Sequence, residues 1–258
     1  MIFFHATDFV PLWILFIGMI SITLLVVELG FHLGRWYASE HDLSKYPMEQ
    51  SANATVIGLL TFLLAFSFNS SARHYGDVRT LLFKDKNLIH QVHQAARILP
   101  DAEAAQIVGL IDEYAQIRVD LMGKSDPNAF KAVADRSEEI QTELFDIAVE
   151  IQKDNTNPMV RIYLQSVQSL TSNHHELINL VFAKRLPRVA WFTLVGLGSA
   201  SGLLFGFSCG LLGRRRYVPA VIIITAFSSV VLLIIDLDRP IHSLATDTRD
   251  ALTRSIEN

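Results

Sequence analysis

Half of the 258 residues are hydrophobic and only 19% are charged, with a formal net charge of −4 at neutral pH. A soluble chain of this length needs more charge to cover its surface, so the clustered apolar excess points to membrane spans. The balance offers no basic stripe for a nucleic-acid backbone, and the single cysteine, Cys209, excludes an intrachain disulfide or a cysteine-based metal site.

In chain order, four segments are long and apolar enough to span: about 9–31, 54–72, 189–212 and 218–235. Each runs about 18–24 residues, which at 1.5 Å per residue matches a hydrocarbon core of about 30 Å. Lipid supplies no water to unpaired backbone groups, so these segments must be helices. The first is too long for the core of a signal peptide, follows no Lys or Arg and precedes no small-residue cleavage site. We therefore read it as a retained anchor. The expected fold is an all-α integral membrane protein with four transmembrane helices and a soluble helical insert between the second and third. Its divisions are 1–72 (spans one and two), 73–188 (insert), 189–240 (spans three and four) and 241–258 (C-terminal tail).

The insert carries apolar residues at helical spacing throughout. Ile107, Leu110, Ile111, Tyr114, Ile117 and Leu121 form one stripe. Ile140, Leu144, Ile147, Ala148 and Ile151 form the next, and Val160, Leu164, Val167, Thr171, His174, Ile178 and Val181 the last. Pro100-Asp101, the stretch 123–128 and the stretch 154–158 punctuate them, and Pro187 marks entry to the third span. The third span holds Gly198, Gly202, Gly206 and Gly210, one every four residues. Such a row lets a neighbouring helix approach closely in lipid, in this subunit or another.

Charge next to the spans bears on orientation. Arg35, Lys45, Arg214, Arg215 and Arg216 fall on one side. Arg73, Arg79, Lys84, Lys86, Lys184, Arg185, Arg188, Arg239, Arg249 and Arg254 fall on the other. The larger set places the insert and both termini in the cytoplasm, although the compact triple arginine argues for the reverse.

Titratable residues near the spans have structural readings. Glu28 can be solvated or can pair with Arg35 along one helix face. Asp236, Asp238 and Arg239 form an interfacial cluster that stops the fourth span before Pro240. His90 with His93 supplies at most two metal ligands, and His174, beside His175 and Glu176, sits on an apolar stripe as a core residue. No nucleophile elbow, phosphate loop or zinc-protease motif is present, so we expect no catalytic residue, no metal and no cofactor.

The second span, from Gly58, runs without a breaker through Phe62, Phe66, Asn69 and Arg73 into Tyr75-Gly76-Asp77-Val78-Arg79. Glu28-Leu29-Gly30 precedes it, with Gly34-Arg35. Asn87, Leu99-Pro100, Glu113-Tyr114, Arg118, Gly213 to Arg216 and Ile235 to Pro240 follow it. Across nearly the whole chain these stretches resemble the bestrophin-like membrane proteins of bacteria and plants, mostly of unassigned function. That family is more distantly similar to bestrophins proper, which are homopentameric anion channels. The resemblance implies four spans, a helical insert and a pore lined by the second span. Phe62 and Phe66 fall on its constriction, with Asn69 and Arg73 as the polar and cationic rings beyond. Gly58 replaces a third constricting residue, Gly76 replaces one of a paired aromatic, and the acidic calcium clasp of animal bestrophins is absent. No calcium gating is expected.

The residues alone fit that picture, since Phe62, Phe66, Asn69 and Arg73 share one helical stripe; packing of the phenylalanines against lipid or another helix is the simpler alternative. The expected function is an oligomeric, anion-conducting channel of a bacterial inner membrane. Its partners would be the bilayer, copies of itself in a homopentamer and a permeant anion, with no nucleic acid. The competing reading is a non-conducting scaffold or sensor whose insert binds another protein.

Overall fold

The computed structural model describes residues 10–40, 50–121, 127–154, 158–183, 186–215 and 217–239. They form seven helices: α1 (Leu12–Glu40), α2 (Gln50–Ala96), α3 (Asp101–Leu121), α4 (Pro127–Asp154), α5 (Pro158–Ala183), α6 (Arg188–Leu211) and α7 (Tyr217–Leu237). The chain is an all-helical membrane protein. Stretches in α1, α2, α6 and α7 are long and apolar enough to cross a bilayer. Val10–Arg73 with Leu186–Asp238 makes one compact unit, and His74–Arg185 is the body of a second. Lys45, Lys184, Arg185, Arg216, Pro240, Arg249 and Arg254, with the start of the first span and the C-terminal tail, lie outside the described residues.

The span unit is organised around α1 and α6, which run parallel and touch backbone to backbone. A methyl group on Gly206 would fall on the Val27 carbonyl oxygen, and one on Gly210 on that of Phe31. Reciprocally, methyl groups on Gly30 and Gly34 would fall on the Leu203 and Phe207 carbonyls. In lipid, burying apolar side chains gives little driving force between helices. Close approach, with its dispersion and Cα–H···O contacts, supplies the attraction instead. Gly202 meets the Val27 side chain 3.4 Å from its virtual Cβ, whereas Gly198 faces the Phe227 ring of α7 at 3.0 Å. The glycine row therefore serves two neighbours within its own chain.

The α6–α7 turn locks the end of this pair. Gly213, at φ +64°, takes the left-handed conformation that closes α6. Its N–H donates to the Gly210 carbonyl and that of Arg214 to the Cys209 carbonyl, the paired bonds of a Schellman motif. The turn then returns Arg215 to α1. Its guanidinium lies 2.8 Å from a Glu28 carboxylate oxygen, 4.8 Å from the Phe31 ring centroid and against the Tyr217 hydroxyl. Glu28 also meets His32 at 3.4 Å. Arg215 and His32, rather than Arg35, are thus the partners the structure gives Glu28. At the opposite end of the unit, the Asp238 carboxylate accepts the Leu186 backbone N–H at 3.1 Å, tying the exit of α7 to the approach to α6.

The second unit is a four-helix bundle of the lower half of α2 with α3, α4 and α5. Val92, Ile107, Ile111, Ile140, Leu144 and Leu170 are fully or almost fully buried in its core. A smaller cluster, Val78, Leu81, Leu177 and Leu180, joins α2 to α5. Tyr163 donates its hydroxyl to the Leu144 carbonyl at 2.9 Å, so the ring is buried without an orphaned oxygen.

The contrast between crowded and open glycines gives a test. Gly206→Ala should lower the thermal stability of the detergent-solubilised chain by roughly 1–3 kcal/mol, the usual range for overpacking. Gly109 in α3 has nothing within 4 Å of a virtual Cβ. Gly109→Ala should leave stability unchanged or raise it by up to about 1 kcal/mol. Thermal unfolding of both variants checks the pair.

Candidate functional site

α2 presents two opposed faces because its sequence alternates at helical spacing. Leu60, Ser67, Ser71, His74, Val78, Leu81, Asp85, Leu88 and Val92 are buried along one side. Phe62, Phe66, Asn69 and Arg73 follow each other at spacings of four, three and four, and all are exposed. Phe62 keeps 69% of its surface accessible and Phe66 60%, the same range as the outward-facing rings Trp13, Trp36 and Phe192 of the other spans. The four predicted site residues thus share one uncovered face, apolar first and then polar and cationic. Gly58 and Gly76 both have open space around them. Along the described residues the face continues through Thr80, Lys84 and Asn87, which are polar and accessible.

The helix also keeps its own hydroxyl groups satisfied where it can. Thr61 donates to the Ile57 carbonyl and Thr80 to the Gly76 carbonyl, both at 2.9 Å. The buried Ser67 and Ser71 hydroxyl oxygens have no hydrogen-bond partner among the described residues.

The lower half of α2 is fixed by a buried polar network that joins all four bundle helices. Asp85 of α2 lies 3.6 Å from the Arg118 Nε of α3, each side chain only 6% exposed. Asn173 of α5 donates from Nδ2 to Asp85 Oδ1 and to the Leu81 carbonyl, both at 3.2 Å. Tyr114 donates to Asp85 Oδ1 at 3.5 Å and accepts from Arg118 Nη2 at 2.7 Å and from Gln141 Nε2 of α4 at 3.4 Å. Arg118 Nη2 also contacts His174 Nδ1. A guanidinium only donates, so Nδ1 is the unprotonated nitrogen and the ring proton sits on Nε2.

Burial dominates the titration of this cluster. It pushes the Tyr114 hydroxyl up to about 12 and, with Arg118 and His175 beside it, the His174 imidazole down to about 3. Burial also opposes the Arg118 charge, but Tyr114 and Asp85 outweigh it and hold the guanidinium above its ordinary value. On the surface, Arg136 binds both Glu113 oxygens at 2.7 and 2.9 Å and reaches Glu139 and Glu143 at 3.1 Å each. The hydrogen bond from Arg136 holds Glu113 below the usual carboxylate range. His90 pairs with Gln94 at 3.1 Å, and no group of three His, Cys, Asp or Glu residues able to hold a metal occurs among the described residues.

The bestrophin-like domain model matches residues 15–242, from inside the first span through the insert and the other three spans. The chain belongs to the bestrophin-like family. The solved structures it resembles include variants of a bacterial bestrophin homologue from Klebsiella pneumoniae. One is 14% identical, with a TM-score of 0.65, covering 92% of this chain and 99% of that one. Another is 13% identical, with a TM-score of 0.68, covering 94% and 99%. A further membrane-protein structure is 11% identical, with a TM-score of 0.69 and coverage of 93% and 95%. At these identities the likeness is one of fold. No curated protein matches the sequence.

Within this bestrophin-like chain, sequence reasoning picked out the exposed α2 stripe but not the polar network on its other side. Its signals were present. Arg118 continues the Ile107, Ile111, Tyr114 stripe, and Asp85 falls between Leu81 and Leu88 on the buried face of α2. A charge at a core position of each of two helices is the mark of a buried pair.

The His174 environment sets a pH dependence. The fold requires a neutral imidazole, whose folded value of about 3 lies below the ordinary 6.5. Its contribution is complete above about pH 6.5 and is lost progressively as pH falls towards 3. Thermal stability in detergent should therefore fall between pH 7 and pH 4.5. It should fall less steeply in His174→Gln, whose carbonyl can accept from Arg118 without titrating. Parallel decline of the two proteins would remove His174 as the acid-sensitive group.

Proposed function

We propose that this protein is an oligomeric, anion-conducting channel whose pore is lined by α2. The observation that carries the reading is the uncovered stripe of Phe62, Phe66, Asn69 and Arg73 on a helix whose other face is packed. Several copies around an axis would turn each residue into a ring. Phe62 and Phe66 would form a hydrophobic constriction that gates by dewetting, and Asn69 would start the wet side. Arg73 would raise the local concentration of anions by its positive field. The similarity to bestrophins supports five subunits, and the cation count beside the spans supports a cytoplasmic insert in a bacterial inner membrane.

The crowded faces of α6 are compatible with this assignment. Gly202, Gly206 and Gly210 meet α1, and Gly198 meets α7, so the glycine row serves packing within the subunit. Asp85 on the buried side of α2 is engaged by Arg118 and Asn173, which would hold the pore helix in a fixed rotation.

Flux through reconstituted protein tests the reading. Phe62→Ala with Phe66→Ala should raise chloride flux by about tenfold, equivalent to lowering the barrier by about 1.4 kcal/mol. Arg73→Glu should shift the preference from anions towards cations. Unchanged flux and selectivity in an active preparation would remove these residues from the conduction path.

A further inference from the structure

Helix α1 carries an exposed tryptophan near each end, Trp13 with 63% of its surface accessible and Trp36 with 60%. From one to the other the helix rises about 34 Å at about 1.5 Å per residue. That matches a hydrocarbon core of about 30 Å, and such rings gather where acyl chains meet headgroups. Trp36 therefore marks one headgroup level of the bilayer. At that level α1 and α6 are still in contact, because a methyl group on Gly210 would fall 2.8 Å from the Arg35 backbone nitrogen. One residue earlier, the Cys209 carbonyl accepts the Arg214 N–H at 3.3 Å. Arg35 on α1 and Arg214 just past the end of α6 are thus neighbours at headgroup depth.

Both residues are exposed, and neither guanidinium makes a hydrogen bond or ion pair. Glu28 is not available to them, since Arg215 takes it at 2.8 Å and His32 at 3.4 Å. Glu40, the last residue of α1, joins no ion pair either. Two cations are therefore held near each other by the tightest helix contact in the span unit, without a countercharge. Like charges so placed repel, and an anion bridging them removes the repulsion. The planar fork of each guanidinium suits phosphate oxygens. Tyr217, 52% exposed and in contact with Arg215, adds a second amphipathic ring beside the pair.

We propose that Arg35 and Arg214 form a binding site for the headgroup of an anionic phospholipid. Each guanidinium donates to phosphate oxygens, while Trp36 and Tyr217 lie along the upper acyl chains. Two cations favour a lipid with two phosphates over one with a single phosphate. A zwitterionic lipid is disfavoured, because its own ammonium group meets the arginines. The ligand is a lipid rather than free phosphate because the pair lies level with Trp36, where lipid phosphates are already concentrated. A headgroup bridging the two arginines would also clamp this end of the α1–α6 pair. The site is separate from the α2 stripe, and it depends neither on conduction nor on which leaflet this end meets.

The test is native mass spectrometry of the full chain in detergent, titrated with cardiolipin, phosphatidylglycerol or phosphatidylcholine. The expected result is saturable retention of cardiolipin, weaker retention of phosphatidylglycerol and about tenfold weaker retention of phosphatidylcholine. Arg35→Gln with Arg214→Gln should weaken cardiolipin about tenfold, and each single variant should show part of that loss. Arg35→Lys with Arg214→Lys, which keeps both charges, should retain most of the binding. Arg161→Gln, which removes an exposed charge from α5 in the insert, should bind as the parent does. Unfolding temperatures in lipid-free detergent should agree among these variants. Equal retention of cardiolipin and phosphatidylcholine, undiminished binding by the glutamine variants, or no saturable retention would each overturn the proposal. Displacement of cardiolipin by an equal concentration of inorganic phosphate would also overturn it, by making free phosphate the ligand.

Discussion

Helices in lipid cannot be held together by hiding apolar side chains, because the solvent is itself apolar. What remains is shape, and in this protein shape is set where α1 and α6 meet at positions without side chains. Gly30 and Gly34 on one helix and Gly206 and Gly210 on the other let carbonyl oxygens of each lie where a Cβ would otherwise stand. The turn after α6, closed by Gly213, then delivers Arg215 onto Glu28 and Phe31. Asp238 secures the opposite end by accepting the Leu186 N–H. α1, α6 and α7 are thereby joined within one chain by contacts that need no other subunit.

The insert is held by different physics. Its apolar core is that of an ordinary water-soluble bundle, but a charged pair is buried near one end of it. Asp85 and Arg118 are costly to desolvate, and hydrogen bonds with Asn173, Tyr114 and His174 offset part of that cost. Such a network tolerates one rotation of α2 and no other, since turning the helix by one residue would strand the carboxylate.

Most of the architecture was legible because the bilayer simplifies the code. Four long apolar runs could only be helices, and the apolar stripe of α4 matched its buried face closely, whereas on α5 Tyr163, Leu170 and Leu177 are buried where Leu164, Thr171 and Ile178 were expected. Leu144, Ile147 and Ala148 of α4 are buried as their spacing required. The continuity of α2 was legible from the absence of a breaker between Gly58 and Arg79. The partner of the glycine row was not, because Gly30 and Gly34 lie in a run that reads equally well as a tolerant membrane segment. The Arg215–Glu28 pair was hidden for a different reason. It joins residues far apart in sequence, and only the geometry of the α6–α7 turn chooses Arg215 over the nearer Arg35. The α2 stripe itself was legible as a periodicity, but its exposure depends on how the rest of the chain packs.

An uncovered aromatic stripe on one protomer becomes a pore only if copies assemble around a common axis with α2 innermost. The most direct measurement is therefore the subunit number and symmetry of the purified protein, by native mass spectrometry together with two-dimensional image classes. The account predicts a closed five-fold ring with density converging on a central axis. A monomer or a dimer would contradict it, because Phe62 and Phe66 would then face lipid or a single neighbour and no shared axis would exist.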